Sequence, residues 1–497
     1  MNRRKKLYLN TITALLLQIV TFICGFILPK QILLYFGSDV NGLVSSISRF
    51  LSVITFLEMG ISPVIQSNLY KPLAENDVET MSKVVCSSEK FYKRIAYIFI
   101  VYIAALFFIY PSINNEFDFW FTGSLIIILS ITTFAQYYFG LTYQVFLNAD
   151  QKIYISSFLQ IFTVIFNTII SVILIKLGCS VHVVKLVSSC VYVIKPLALN
   201  IYVKRHYALI PHIKYTEEPI KQKWNGFAQH IAAVVCGEID VMLLTFLANY
   251  QSVSIYSVYF MVVNGITMIV MNMVSGLEAF WGNMIANNER ENLLKTFDWV
   301  ECLMHAAVTF LYGATAVLIA PFISVYIKGA TDASAYYLPV FGLILTLAYG
   351  AQCLRVPYFR VIKASGHYKQ TQMGSFISML INIIVSVALV LRYGLIGVSL
   401  GTLAAMLYHT IYFANYLKKN ILNRPIRYFI KHFAVDMVAG TVILMICRLF
   451  TMHELTYISW VVYAVKVSMI SAIVVFGMNL TLYHKQFGTM FARFIKK

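Results

Sequence analysis

Asn167-Thr-Ile-Ile-Ser-Val-Ile-Leu-Ile175 returns 215 residues later as Asn382-Ile-Ile-Val-Ser-Val-Ala-Leu-Val390. Leu, Ile and Val recur by chance in any two apolar runs. An Asn followed four residues on by a Ser does not, so the pair points to an internal repeat. Working outward, Lys176-Leu-Gly178 aligns with Arg392-Tyr-Gly394 after one inserted residue, Ala135-Gln136 with Ala351-Gln352, Ala149 with Ala364, and Asn68 with Asn283. The offset stays nearly constant from Asn68 to Gly178 and from Asn283 to Gly394, so the second half of the chain echoes the first.

The repeated unit belongs in a bilayer. Of 497 residues, 59% are hydrophobic and 12% charged, whereas about a quarter of a soluble domain is charged. A spanning helix needs about 20 mostly apolar residues. Fourteen stretches qualify: approximately 8–36, 42–70, 91–111, 119–147, 154–177, 182–203, 225–248, 254–286, 297–327, 335–362, 371–391, 395–417, 431–450 and 457–483. The fold expected is therefore all-α and polytopic, with about 14 transmembrane helices. It comprises an N-terminal six-helix lobe over 1–210, a C-terminal six-helix lobe over 211–420, and two additional helices over 421–497. Six spans separate each residue from its copy, so the copies share one orientation. Two lobes related by an axis along the membrane normal follow, with a cavity between them.

An even number of spans puts both termini on one side, and the basic residues say which. Of 39 Lys and Arg, 29 fall on the side of the termini and 4 on the other, namely Lys176, Lys328, Arg392 and Arg448. Positive charge is retained on the cytoplasmic side, so both termini are expected there. This placement also accounts for the formal charge of +18 without a nucleic-acid surface. The outward loops are very short. The longest inward ones, about 71–90 and 204–224, are expected to form short amphipathic helices on acidic lipid. Met1-Asn-Arg-Arg-Lys-Lys6 before the first apolar run imitates a secretory signal, but no small-x-small cleavage site follows, so an uncleaved first helix is expected.

Six basic residues remain at membrane depth: Lys30, Arg49, Lys185, Lys195, Arg355 and Lys466. Placing one at the centre of a span costs about 2.5–3.5 kcal/mol on insertion scales, so such residues face water, a partner or a ligand. Guanidinium groups in a wet cavity can hold a pyrophosphate bidentately. On that ground Lys30, Arg49, Arg355, Lys185 and Lys195 are the candidate substrate-binding residues, with Arg49 and Arg355 foremost. The carboxylates at similar depth, Glu58, Glu238, Asp240 and Glu278, are candidates for ion coupling or for salt bridges to those cations; Asp436 is a further acid at depth. His230 and His305 could take part in proton coupling. Pro29, Pro63, Pro196, Pro321 and Pro357 break the helical ladder where spans can bend.

Other chemistry finds no support. The eight cysteines never show C-x-x-C spacing and read as small buried residues. No Ser/His/Asp order, Gly-rich phosphate loop or HExxH stands out, no cofactor motif is present, and the loops are too short for a catalytic domain.

Pro29-Lys-Gln-Ile-Leu-Leu-Tyr-Phe-Gly-Ser-Asp-Val-Asn-Gly-Leu-Val-Ser-Ser-Ile47, Leu69-Tyr-Lys-Pro-Leu-Ala74, Asp240 with Val253-Ser-Ile-Tyr-Ser-Val258, and Ala364-Ser-Gly-His-Tyr-Lys-Gln-Thr-Gln372 carry a resemblance that covers essentially the whole chain. In their order and spacing the sequence resembles the Wzx-type polysaccharide flippases of the multidrug/oligosaccharidyl-lipid/polysaccharide (MOP) exporter superfamily, relatives of the MATE transporters. The resemblance implies two lobes around a V-shaped cavity that opens alternately to either face. It implies an undecaprenyl-diphosphate-linked oligosaccharide as cargo, a coupling cation (H+ or Na+), membrane lipids and a polysaccharide polymerase as partners, and a bacterial cytoplasmic membrane as the location. It also implies a diphosphate-holding role for Lys30 and Arg49. The second lobe departs from a symmetric pattern, with Glu238 and Asp240 near the place of Pro29 and Lys30.

Three function classes compete. A lipid-linked oligosaccharide flippase fits the basic residues at depth. A cation-coupled multidrug exporter of MATE type would use Glu238 and Asp240, but its usual cationic cargo is repelled by a basic cavity. A membrane polymerase or ligase would carry a large outward loop, which this sequence lacks.

Overall fold

The computed structural model describes residues 3–58, 60–113, 116–211, 213–220, 227–274, 276–452 and 454–483; the side chains of 3 and 227–236 are outside the description. Every regular element among the described residues is helical. The helices are α1 (Arg3–Ser52), α2 (Ile61–Glu75), α3 (Val78–Ile109), α4 (Phe119–Ala135), α5 (Leu141–Ala149), α6 (Ile153–Lys176), α7 (Val181–His206), α8 (Phe227–Leu247), α9 (Tyr250–Met273), α10 (Leu277–Ala286), α11 (Arg290–Tyr326), α12 (Pro339–Leu354), α13 (Val356–Ala364), α14 (Tyr368–Tyr393), α15 (Leu395–Asn420), α16 (Arg427–Cys447) and α17 (Tyr457–Leu482). Twelve stretches are long and apolar enough to cross a membrane. The first, Arg4–Glu58, has 55 residues, about 80 Å of helix against a hydrocarbon core of about 30 Å. Gly37, at φ 84° and ψ 175°, breaks it into two arms. With both arms and the 21-residue α8 counted, the fourteen crossings expected from the sequence are present.

Two expected spans are interrupted. The second ends in a 3-10 turn, Val53–Glu58, and resumes as α2 beyond Gly60. The eighth breaks between α9 and α10. Hydropathy is blind to both breaks, because the sequence stays apolar across them while the backbone departs from the helix. The inward segment 71–90 is not a separate surface helix. It holds the end of α2 and the first turns of α3, which Asp77 caps by accepting from the Thr80 N–H at 2.9 Å.

Helix bounds reproduce the repeat. α6 starts at Ile153 and α14 at Tyr368; α5 ends at Ala149 and α13 at Ala364. The residues that revealed the repeat do the same work in both copies. Ser171 Oγ donates to Asn167 Oδ1 at 3.4 Å, and Ser386 Oγ to Asn382 Oδ1 at 3.0 Å. Each pair is buried one turn apart on one helix face.

By contacts the chain forms two compact units, Met1–Ser254 and Ile255–Lys497. The first ends later than the repeat boundary near residue 210, because α8 packs along the second arm of α1. There Ser46 and Thr245 hydroxyls share a hydrogen bond, Tyr110 donates to Ser46 at 2.6 Å, and Asn41 donates to Ser254 at 2.7 Å. Small hydroxyl residues fill helix interfaces throughout, with Ser46, Ser171, Ser386 and Ser399 fully buried, while Leu391 and Ile458 are 75% and 80% exposed. That inversion is the mark of helices packed in lipid, where close approach and interhelical hydrogen bonds replace the hydrophobic effect.

The start of α1 is tied down by a polar network outside the spans. Asp150, after α5, accepts from Lys6 at 2.9 Å, pairs with Lys152 at 2.8 Å and accepts from Tyr207. Burial alone would raise the Asp150 carboxyl, but the bonds from Lys152, Lys6 and Tyr207 outweigh it and hold it below the ordinary carboxylate value. A depressed folded value means that the network is intact above the unfolded pKa and is lost only as pH falls through the folded one. Asp150→Asn is therefore expected to release the first turns of α1 at neutral pH. Backbone hydrogen exchange over residues 4–12 checks this, with an unchanged rate as the contrary result.

Candidate functional site

In the first unit, α6, α7, the first arm of α1 and the α4–α5 segment enclose a cavity of about 480 Å³. Between α4 and α5 lies a π-turn, Gln136–Gly140, whose wider turn marks functional positions in many helices. It leaves Gly140 facing Pro196 of α7: a Cβ there would lie 2.6 Å from the proline Cβ, so only glycine permits this approach. Lys195, one residue before that proline, reaches the cavity together with Gln136, Gln144, Gln160, Asn167 and Tyr192. Asn167 Nδ2 lies 3.3 Å from the Tyr192 hydroxyl as donor.

No carboxylate lines this cavity, and no hydrogen bond or ion pair holds Lys195 among the described residues. A lysine at this depth must be solvated or matched by a ligand. Amides that both donate and accept line the walls, so the space suits hydroxyl-rich or anionic groups and repels cations. Lys185, ten residues earlier on the same helix and half-buried, lies outside this lining.

The remaining basic residues singled out in the sequence are held differently. Arg49, on the second arm of α1, pairs with Glu238 of α8 at 3.1 Å, with side chains 28% and 17% exposed. Lys30 sits half-buried on the first arm, beyond Pro29. Glu58 accepts from the Tyr137 hydroxyl at 2.6 Å, and Asp240 is buried on α8. His230 lies outside the described side chains.

In the second unit, Arg355 stands at the break between α12 and α13, 215 residues after Gly140. Its Nη1 donates to His409 Nδ1 and faces Met406 Sδ at 3.7 Å. Because a guanidinium only donates, His409 must be the neutral tautomer with its proton on Nε2, which points to Ser375 Oγ at 3.3 Å. Glu278 on α10 is taken up by Arg360 at 2.8 Å and Lys363 at 3.8 Å. A Cβ on Gly401 of α15 would meet Ser386 Oγ at 2.0 Å, and one on Gly397 the Leu389 carbonyl at 2.4 Å, so α15 lies directly on α14.

The structure thus places Lys195 in a cavity lined by four side-chain amides and no acid, pairs Arg49 with Glu238, and leaves Lys185 and Lys30 out of that lining. The glutamines were missed by a reading that looked for charge. Their signal was positional: Gln136 and Gln144 are eight residues apart and Gln160 and Asn167 seven, so each pair recurs on one helix face.

No family model matches the sequence, and no curated protein matches it. Among solved structures, a lipid II flippase MurJ in an inward closed conformation is similar over 96% of this chain and 99% of that one, with 15% identity and a TM-score of 0.70. An inward-facing multidrug resistance MATE family transporter of the MOP superfamily is similar over 82% of this chain and 96% of its own, with 13% identity and a TM-score of 0.59. For a MOP superfamily transporter from Pyrococcus furiosus the shares are 84% and 95%, the identity 12% and the TM-score 0.52. Identities this low speak to architecture, and on that ground this multi-pass membrane protein has the fold of the MOP superfamily of transporters and flippases.

Proposed function

We propose that the chain is a flippase, and no enzyme, that carries an undecaprenyl-diphosphate-linked oligosaccharide repeat unit across the bacterial cytoplasmic membrane by alternating access, for capsule, exopolysaccharide or O-antigen synthesis. Both termini face the cytoplasm in this reading, as the 29-to-4 distribution of basic residues supports. A polysaccharide polymerase would take the cargo on the far side.

One observation carries the proposal: Lys195 stands without a carboxylate in a cavity to which Gln136, Gln144, Gln160 and Asn167 present side-chain amides. An ammonium there complements the negative charge of a diphosphate or acidic sugar, and the amides complement sugar hydroxyls. The likeness of fold to a lipid II flippase is consistent with a lipid-linked cargo. A cationic drug finds the opposite environment, and Glu58, Glu238 and Glu278 already have Tyr137, Arg49 and Arg360 as partners.

In a strain whose surface polysaccharide depends on this chain, Lys195→Glu is expected to cut polymer at least tenfold and to leave lipid-linked repeat units on the cytoplasmic leaflet. Lys195→Arg keeps export. Normal polymer from Lys195→Glu at equal membrane abundance would overturn the assignment, as would drug resistance conferred by overexpression with no effect on polymer.

A further inference from the structure

The second unit holds a cluster of titratable side chains that the transport reading does not use. Two turns of α11 carry Glu301, His305 and Thr309 on one face, and α16 presents His432 and Asp436, also one turn apart. Asp436 is gripped at both oxygens: Thr309 Oγ1 donates to Oδ1 at 2.8 Å, and His305 Nδ1 bonds to Oδ2. His305 is 2% exposed, and its Nε2 has no hydrogen-bond partner among the described residues. His432 stacks on it at 5.1 Å between ring centroids and approaches Glu301 at 3.9 Å.

We propose that His305 and Asp436 form a binding site for one exchangeable proton, and that its occupancy sets how firmly α16 seats on α11.

Charge counting supports this. Glu301 is fully buried and the Asp436 side chain 12% exposed, and the buried cation beside them is Arg424, Lys431 being exposed; Arg424 pairs with Glu301 and, at 2.9 Å, with the one-third-exposed Asp298. Two buried carboxylates against one guanidinium leave a deficit of one positive charge, and burying an uncompensated charge is costly. A proton on the imidazole of His305, which adjoins Asp436 directly and Glu301 one helical turn away, removes the deficit. When it leaves, one proton departs from imidazolium, Asp436 remains a carboxylate, and the cluster is left one negative charge out of balance.

The stacked His432 cannot be charged at the same time without like-charge repulsion at 5.1 Å, which limits the site to a single proton. The other groups that face the pair do not replace it. Tyr358 of α13 donates to Glu301, Tyr483 after α17 stacks on His432 at 4.6 Å with Lys431 over its ring, and Cys302 is buried beside them.

Access and consequence come from one neighbouring feature. Asp436 and Thr309 also line a largely apolar cavity of about 270 Å³ bounded by α11, α12, α15 and α16. Loss of the proton from His305 therefore leaves the Asp436 carboxylate on the wall of that cavity without its compensating charge and weakens the bond that docks α16. The site shares no residue with the first unit's cavity and is independent of which cargo the protein carries.

The test uses the purified full chain in lipid nanodiscs, with its histidines labelled by 15N and the His305 signals assigned by their loss in His305→Gln. The His305 ring is expected to titrate between pH 5 and 9, and its midpoint to shift by one pH unit or more in Asp436→Asn. Deuterium exchange of residues 433–440, corrected for intrinsic rate, is expected to follow the same midpoint. Should Asp436→Asn fail to fold, Glu301→Gln is expected to shift the midpoint in its place. A midpoint unmoved by the carboxylate variants, a His305 silent across this range, or α16 exchange indifferent to pH would each overturn the proposal.

Discussion

Gly42→Ala is expected to lower the melting temperature of the purified protein sharply, and Gly42→Val to prevent its accumulation in the membrane. Gly42 lies on the second arm of α1, where a Cβ would fall 1.8 Å from the Tyr250 carbonyl oxygen, 2.6 Å from its carbon and 3.1 Å from its Cα. All three are backbone atoms, so no rotamer change gives relief and α1 must move off the start of α9. That shift would take with it the neighbouring bond from Asn41 to Ser254, 2.7 Å long and buried. Overpacking a well-filled interior costs about 1–3 kcal/mol and occasionally more, and a backbone obstacle puts this site at the upper end. Gly440 on α16 is the control, because a Cβ there meets nothing within 4 Å. Gly440→Ala should be neutral or gain up to about 1 kcal/mol from helix propensity. Thermal unfolding in detergent, followed by size-exclusion chromatography, separates the two; equal melting of Gly42→Ala and Gly440→Ala would refute the argument.

The contrast between these glycines shows which parts of the structure could be read from the sequence. Spans were legible because a bilayer demands long apolar runs, and the repeat was legible because Asn167 and Ser171 recur with the same four-residue spacing as Asn382 and Ser386. The breaks between the 3-10 turn and α2 and between α9 and α10 were not, since Gly60 and Gly276 sit in sequence as apolar as the helices around them. Charge at depth was legible residue by residue, but pairing was not. Arg49 and Glu238 are 189 residues apart, and only the packing of α8 on α1 brings them to 3.1 Å. The cavity was hidden for another reason: Gln136, Gln144 and Gln160 carry no charge, so attention to buried cations passed over the side chains that offer hydrogen-bonding groups around Lys195. His305 and Asp436 were each noted singly, and what joined them was the docking of α16, which belongs to neither copy of the repeat.

That docking supplies the second large effect: Arg424→Leu is expected to cost about 3–5 kcal/mol of stability, the range for removing one partner of a buried ion pair. Arg424, just before α16, is 10% exposed and Glu301 fully buried. The guanidinium also lies over the Tyr428 ring at 4.4 Å and the Phe297 ring at 5.6 Å, so its stem and plane fill space as well as balance charge. Leucine replaces part of that volume and none of the charge, leaving Glu301 with the Tyr358 hydroxyl and an uncompensated negative charge. If the charge is the cause, removing the other partner must relieve it. Arg424→Leu with Glu301→Leu should regain a large part of the loss, because a well-packed apolar pair often matches or exceeds a buried ion pair in stability. The coupling in this double-mutant cycle is expected to reach about 2 kcal/mol or more, well above the few tenths found between independent sites. Arg427→Leu, three residues on and exposed, is the reference and should change stability by less than about 0.5 kcal/mol. Should Arg424→Leu unfold together with Arg427→Leu, or should the cycle show no coupling, the ion pair contributes nothing to seating α16 on α11, and the docking rests on packing between those helices alone.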